Sequence, residues 1–341
     1  MTLQPTNLPI DSDPESELPE QEEPTQPRRK FFNSLPSRCC AQKYWLIITL
    51  VAFLAGSFGG FGVGRYSVHQ EMAAAEQSQS QYIDALADEI NPPDGYQLPA
   101  RFGNIGPQLV AAGVIDYDAF VRLYEQNGQP LNDEQRAILT QGSDQPIVIN
   151  RQNAYFLLNL FWAFGLANAN PILTEGPITQ YGQGDVTRFA STGGWGLGTK
   201  PVSELFASTA IVTLRADQQA RVEKVAAMIY RPCCDNPTHF PDCNHGMAML
   251  GMLELMVAQG ASEDEMLEAA KYVNAFWFPR QAFETALYLK YSQDIDFTDT
   301  DPRLVVGEQL FSGSGFASVH QWLESNGKLE QAPGGASGCS N

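Results

Sequence analysis

Twenty-one consecutive residues, YWLIITLVAFLAGSFGGFGVG from Tyr44 to Gly64, carry no charge. An apolar helix of that length matches the hydrocarbon thickness of a bilayer, so a transmembrane helix is predicted over 44–64. After it the pattern changes. Residues 65–93 are rich in Ala, Gln and Glu with scattered apolar positions, which predicts a helical stalk closed by the turn NPPDG, Asn91 to Gly95.

Beyond the turn, helix signals follow one another over a domain spanning 94–326. GPQLVAAG and DYDAFVRLYEQNG come first, with Asp116 placed to cap the second, and LNDEQRAILTQG has Asn132 as its cap. NRQNAYFLLNLFWAFGLANAN, from Asn150, is apolar on nearly every face, the mark of a helix at the domain centre. LRADQQARVEKVAAMIY presents Leu214, Val222, Val225, Ala226 and Ile229 as one stripe. HGMAMLGMLELMVAQG follows. SEDEMLEAAKYVNAFWF then opens on Ser262 with Glu265 to close a capping box, and Pro279 begins a further helix. Strand-type runs are confined to QPIVIN (Gln145 to Asn150) and SELFASTAIVTL (Ser203 to Leu214). The expected fold class is all-α. QAPGGASGCSN ends the chain, and 327–341 reads as a flexible tail.

Charge sets orientation and excludes some partners. Residues 1–27 hold seven acidic residues, six prolines and no basic residue, a composition that favours disorder. Within the 1–43 cytoplasmic tail, Arg28, Arg29, Lys30, Arg38 and Lys43 then precede the apolar run, and only Arg65 follows it before Arg101. The positive-inside rule therefore places the N-terminus in the cytoplasm and the helical domain outside, on an uncleaved signal anchor. PRRKFFN is similar to a twin-arginine export signal, although Arg38 and Lys43 interrupt the path to the apolar core. Gly56, Gly60 and Gly64 recur every fourth residue and would let two copies of the span approach closely as a homodimer. A net charge of −18 argues against nucleic acid as a partner.

The chemistry concentrates in RPCCDNPTHFPDCNHG, Arg231 to Gly246. Pro232, Pro237 and Pro241 forbid regular structure there, so this is a turn between two helices, with Asn244 placed to cap the second. Three chemistries fit it. Cys233, Cys234, Cys243 and His245 supply four soft or borderline ligands for a zinc or copper ion, with His239 and Met249 as secondary candidates. Met249, Met252 and Met256 follow His245 at helical spacing, which fits core packing as well as ligation. Alternatively Cys233 or Cys234 with Cys243 performs thiol–disulfide exchange, although no C-x-x-C is present. Finally, a Cys234–Cys243 disulfide could staple the loop, leaving Cys233 free or paired with Cys339. Cys39 and Cys40, at the inner membrane edge, are expected to be inert thiols.

IYRPCCDNPTHFPDCNHG followed by GMLELMVAQGASEDEMLEAA resembles the extracytoplasmic PCYCGC-motif proteins of bacteria in layout. It is also similar to the LRCxxCQ helical hairpin of cytochrome c maturation subunits. The likeness covers about 50 residues, and neither family's own cysteine spacing is present. It implies a protein anchored in the bacterial cytoplasmic membrane that handles metal or thiols outside the cytoplasm, through Cys233, Cys234, Cys243 and His245.

One other segment stands out. RFASTGGWGLGTK, Arg188 to Lys200, places Gly193, Gly194, Gly196 and Gly198 around Trp195. It lacks both the Gly-Lys-Ser/Thr order of a phosphate loop and the G-x-S-x-G of a nucleophile elbow. Trp195 is expected to anchor the loop in the core. No enzymatic acid–base pair is indicated: Glu263, Asp264 and Glu265 sit in a helix's first turn, where they complement its dipole.

Overall fold

Outside a membrane, a helix that is apolar on every face must be surrounded by protein, and two segments beyond residue 93 are of this kind. The structure, a computed structural model, describes residues 41–331; the side chains of 41–50, 52 and 54–67 lie outside the described residues. The main elements are α1 (Ala41–Ile90), β1 (Tyr96–Gly103), α2 (Ile105–Ala111), α3 (Tyr117–Gln126), α4 (Asp133–Thr140) and β2 (Ser143–Ile149). They continue with α5 (Ala154–Ala167), α6 (Ala216–Ala226), α7 (Asn244–Ala258), α8 (Glu263–Trp277), α9 (Pro279–Gln293) and α10 (Gly313–Ser325). Single helical turns fill the connections. The fold is predominantly helical, with one two-stranded antiparallel ribbon.

The all-apolar helices are α5 and α7, and they pack against each other at the centre. Every residue of α7 from His245 to Val257 is buried. Backbone meets backbone where they cross. A Cβ on Gly165 would lie 2.1 Å from the Met247 carbonyl oxygen, and one on Gly251 would lie 2.7 Å from the Gly165 nitrogen. The C-terminal carbonyls of α5 are then satisfied from the segment expected to be a strand. Ala207 N donates to Leu166 O and Thr209 N to Ala167 O, each at 2.9 Å. Ser203–Leu214 therefore forms no strand beyond an isolated bridge between Asn168 and Thr209; it acts as a cap for α5.

The ribbon pairs Tyr96 with Ile149 and Gly103 with Ser143, with irregular register between. β2 includes the predicted QPIVI run. β1 was hidden by Pro99, although Leu98, Ala100 and Phe102 alternate toward the core; a proline is tolerated because each strand of a two-stranded ribbon has a free edge. Tyr96 stacks on Tyr272 of α8 with ring centroids 4.2 Å apart.

The predicted caps are present at Asp116, Asn132 and Ser262, the last two with reciprocal capping-box bonds. The chain divides between Glu71 and Met72. In the second unit the stalk does not end at the domain surface: Ile83, Leu86 and Ile90 are buried in the common core, and the Glu89 carboxylate accepts from Thr298 N at 2.8 Å. The start of the expected tail follows the fold, with Lys328 N donating to Leu323 O and its ammonium over the Tyr291 ring. Residues 332–341, Cys39, Cys40 and Cys339 lie outside the described residues. The expected span 44–64 is helical in its backbone, as part of α1, but nearly all its side chains, including those flanking Gly56, Gly60 and Gly64, lie outside the described residues. Among the described residues, no helix is long and apolar enough to cross a membrane.

One core residue makes stability depend on pH. Glu254 of α7 is fully buried; its Oε2 accepts from Asn168 Nδ2 at 2.9 Å, and its Oε1 has no partner. Burial pushes its carboxyl up to about 8, against the downward pull of the Asn168 bond. The folded-state pKa lies above the unfolded one, so the native state holds a proton that the unfolded chain releases. This contribution is complete below the unfolded pKa and is lost as pH rises through the folded value, at up to about 1.4 kcal/mol per pH unit. Glu254→Gln keeps the shape without the ionisation. Thermal unfolding between about pH 5 and pH 8 should show the wild type losing stability that Glu254→Gln retains. Parallel profiles would show that Glu254 is not protonated in the fold.

Candidate metal centre

The cysteine loop joins α6 to α7, and three distant parts of the chain hold it in place. Thr238 N donates to Ile229 O at 2.8 Å and His239 N to Ala226 O at 3.0 Å, folding the loop back on the end of α6. Asn274 Nδ2 of α8 donates to Tyr230 O at 3.1 Å. At the start of α10, Gly313 N donates to Cys234 O at 2.9 Å and Ser314 N to the Asp235 carboxylate at 2.7 Å. Ser191 N, from the glycine-rich segment, donates to Asp242 O at 3.1 Å. Loops rich in proline and fixed at this many points hold side chains in one geometry without paying for it on binding.

Beneath the loop lies Arg231, whose side chain is 2% exposed. Its Nε donates to Cys243 Sγ at 2.9 Å, Nη1 to Asn236 O at 2.8 Å, and Nη2 to Phe240 O at 3.0 Å and to Asp242 Oδ1 at 2.5 Å. Asn236 Nδ2 bonds the other Asp242 oxygen at 2.8 Å. Burial alone would lower the guanidinium's pKa, but the Cys243 and Cys234 sulfurs and the Asp242 carboxylate outweigh it and leave the pKa raised.

Cys243, rather than Asn244, is the N-cap of α7, its sulfur accepting from Gly246 N at 3.4 Å. Asn244 uses its side chain on the adjacent His245 N instead. Hydrogen bonds from the Cys233 thiol, then from Cys234, hold the Cys243 thiol well below its usual range, aided by Arg231 and opposed by burial. Of the three thiols, Cys243 is the one whose pKa is lowered. Cys233 is raised by its bonds to Cys234 and Cys243. Cys234 is pushed up to about 11: its bond with Cys233 acts downward, but the one with Cys243 and burial prevail.

His245 is 4% exposed, packed against Phe278 at 4.4 Å and Trp277 at 5.8 Å between ring centroids. Burial lowers its pKa to about 4, with the Cys243 charge acting upward and Arg231 downward, so the ring is neutral at physiological pH. Its Nε2 is buried without a hydrogen-bond partner. Such an orphan costs about 1–3 kcal/mol unless something occupies it.

The predicted ligands do come together, but not as one set of four. Ligand atoms of Cys233, Cys243 and His245 lie within 4.8 Å of one another, and so do those of Cys234, Asp242 and Cys243. Cys243 belongs to both groups. Cys233 Sγ is 3.4 Å from Cys243 Sγ, contact distance but well beyond a disulfide bond, and all three cysteines are free. The structure carries no bond between Cys234 and Cys243. Met249, Met252 and Met256 are buried in the core, and His239 belongs to neither group. His239 instead lines an open hollow of about 540 Å³ with Tyr181, Arg188 and Phe240.

Asp242 and Arg231 were not singled out from the sequence. Arg231 carried a signal, since a lone cation beside Pro-Cys-Cys invites a thiolate contact. Trp195 is buried, its Nε1 donating to Val114 O at 2.9 Å. No protein-family model matches the chain, and neither a curated protein nor a solved structure matches it.

Gly246 completes the arrangement. A Cβ there would lie 2.5 Å from the Arg231 guanidinium carbon, and that guanidinium is buried and held by hydrogen bonds to Cys243, Asn236, Phe240 and Asp242. Gly246→Ala should cost about 1–3 kcal/mol, read as a fall in the midpoint of thermal or denaturant unfolding. An unchanged midpoint would mean that Arg231 is not locked against α7.

Proposed function

We propose that this protein is a membrane-anchored, extracytoplasmic protein that binds a soft metal ion, zinc or copper, at Cys233, Cys243 and His245. The observation that carries the proposal is His245: a buried imidazole whose Nε2 has no hydrogen-bond partner, with one ring nitrogen within 4.8 Å of the Cys233 and Cys243 sulfurs. A buried polar atom without a partner is rare in folded proteins, and an ion is one of its few explanations. Imidazole and thiolate together form a donor set suited to zinc or copper. The lowered pKa of Cys243 is in the direction that metal ligation requires.

The full chain, purified anaerobically in detergent, should carry close to one zinc or copper ion per molecule. His245→Ala should lower occupancy at least tenfold while the fold persists. A wild-type protein without metal, with thiols that react freely and exchange with a small disulfide, would favour thiol exchange. The 3.4 Å Cys233–Cys243 contact is what supports that second possibility, because these sulfurs need move little to bond.

The anchor rests on the uncharged run 44–64, its basic N-terminal flank and the layout likeness to extracytoplasmic bacterial proteins. In spheroplasts, an impermeant maleimide should label Cys233 after chelation but not Cys39 or Cys40. Labelling of Cys39 and Cys40 alone would reverse the orientation, and full release of the protein by alkaline carbonate would remove the anchor.

A further inference from the structure

Cys243 has two differently furnished sides. Toward Cys233 and His245 lie an exposed sulfur, the Cys243 sulfur and a buried imidazole whose Nε2 has no hydrogen-bond partner. Toward Cys234 and Asp242 a cation is already in place, because Arg231 bonds both Cys243 Sγ and Asp242 Oδ1. Cys234 is turned to that side, its sulfur 3.6 Å from Asp242 Oδ1 and 3.9 Å from Asn236 O. A second ion there would sit against a buried guanidinium, at a Coulombic cost that low dielectric magnifies.

Building on the metal-binding proposal, we infer that the cluster is an open three-ligand zinc site. Cys233, Cys243 and His245 hold the ion, and Arg231 keeps the Cys234–Asp242 side closed to a second one. The fourth position is taken by solvent that a small thiolate can displace. Charge selects a divalent ion. With both ligand sulfurs ionised, they and Asp242 make three anions against the one Arg231 cation, and zinc cancels the surplus; copper(I) would leave an anion in a partly buried pocket. Ligand number gives the open position, since zinc is four-coordinate and three protein donors with one exchangeable ligand is the pattern of zinc sites that act on something else. Exposure gives its direction. Cys233 is exposed, Cys243 half-buried and His245 buried, so solvent reaches the ion from the Cys233 side. Cys234 serves instead as a thiol donor to its neighbours.

Cobalt(II) reports this directly, because its visible absorption is sensitive to ligand number and type. The full chain in detergent, reduced and metal-free, would be titrated with cobalt(II) and then zinc, followed by ethanethiol on the cobalt form. One cobalt per chain with a four-coordinate spectrum, displaced by one zinc and shifted by ethanethiol, is the expected result. Cys233→Ser and His245→Ala should weaken binding by about 100-fold or more, whereas Cys234→Ser stays within about threefold and keeps the ethanethiol shift. The Cys234 variant leaves Arg231 untouched, so the comparison does not depend on a variant of the buried arginine folding.

Two cobalt ions per chain would overturn the blocking role of Arg231. A spectrum indifferent to ethanethiol, with Cys234→Ser as damaging as Cys233→Ser, would overturn the open position in favour of four protein ligands. Tight copper(I) binding with no zinc binding would overturn the charge argument but leave the broader metal-site proposal intact. Binding of neither ion would remove both.

Discussion

The crossing of α5 and α7 at Gly165 and Gly251 is the constraint on which the domain depends. With no side chain between them, the two backbones approach closely enough for α7 to be buried along nearly its whole length. A helix so enclosed has no freedom to shift along its axis without rebuilding the core around it. Its first turn is fixed with it, and that turn carries Cys243 as cap, His245 and Gly246. The site is therefore part of the core at one end and open to solvent at the other. Metal-binding loops that stand apart from a core have no comparable support.

A buried guanidinium is the second fixed point. Arg231 is a fully desolvated cation, and such a group is tolerated only when anions and carbonyls replace its water. Here Cys243, Asp242 and the Asn236 and Phe240 carbonyls do so together. The same bonds that satisfy the arginine also fold residues 236–243 around it, so the charge that stabilises the thiolate is also what shapes the loop. Gly246 is needed because the guanidinium lies where its Cβ would be.

Much of this architecture is legible from residue pattern. The all-apolar runs identify the central helices, and Asp116, Asn132 and Ser262 mark helix starts because a cap is a local device: a side chain bonding its own backbone a few residues on. The cysteine loop is legible for the same reason, its prolines and donors lying within sixteen residues. What pattern does not give is set by distant contacts. Ser203–Leu214 has strand-like residues, yet their amides are claimed by the end of α5. Pro99 obscures a strand that is stable only because β2 lies beside it. Ile83, Leu86 and Ile90 look like stalk until the core that receives them is known. The division of four ligands into two groups likewise follows from Arg231, which acts from across the loop.

That division accounts for the adjacent cysteines, which are an awkward pair for one tetrahedral ion because neighbouring side chains in a turn diverge. Divergence is no defect when the two sulfurs have separate partners. Cys233 turns toward Cys243 and the histidine, Cys234 toward Asp242 and the arginine. One side is complete as it stands, with cation and anions matched. The other holds the shared Cys243 sulfur, an exposed thiol and a buried imidazole with an unpartnered Nε2. The proposal of an ion at one of them rests on this asymmetry between the two halves rather than on the number of cysteines.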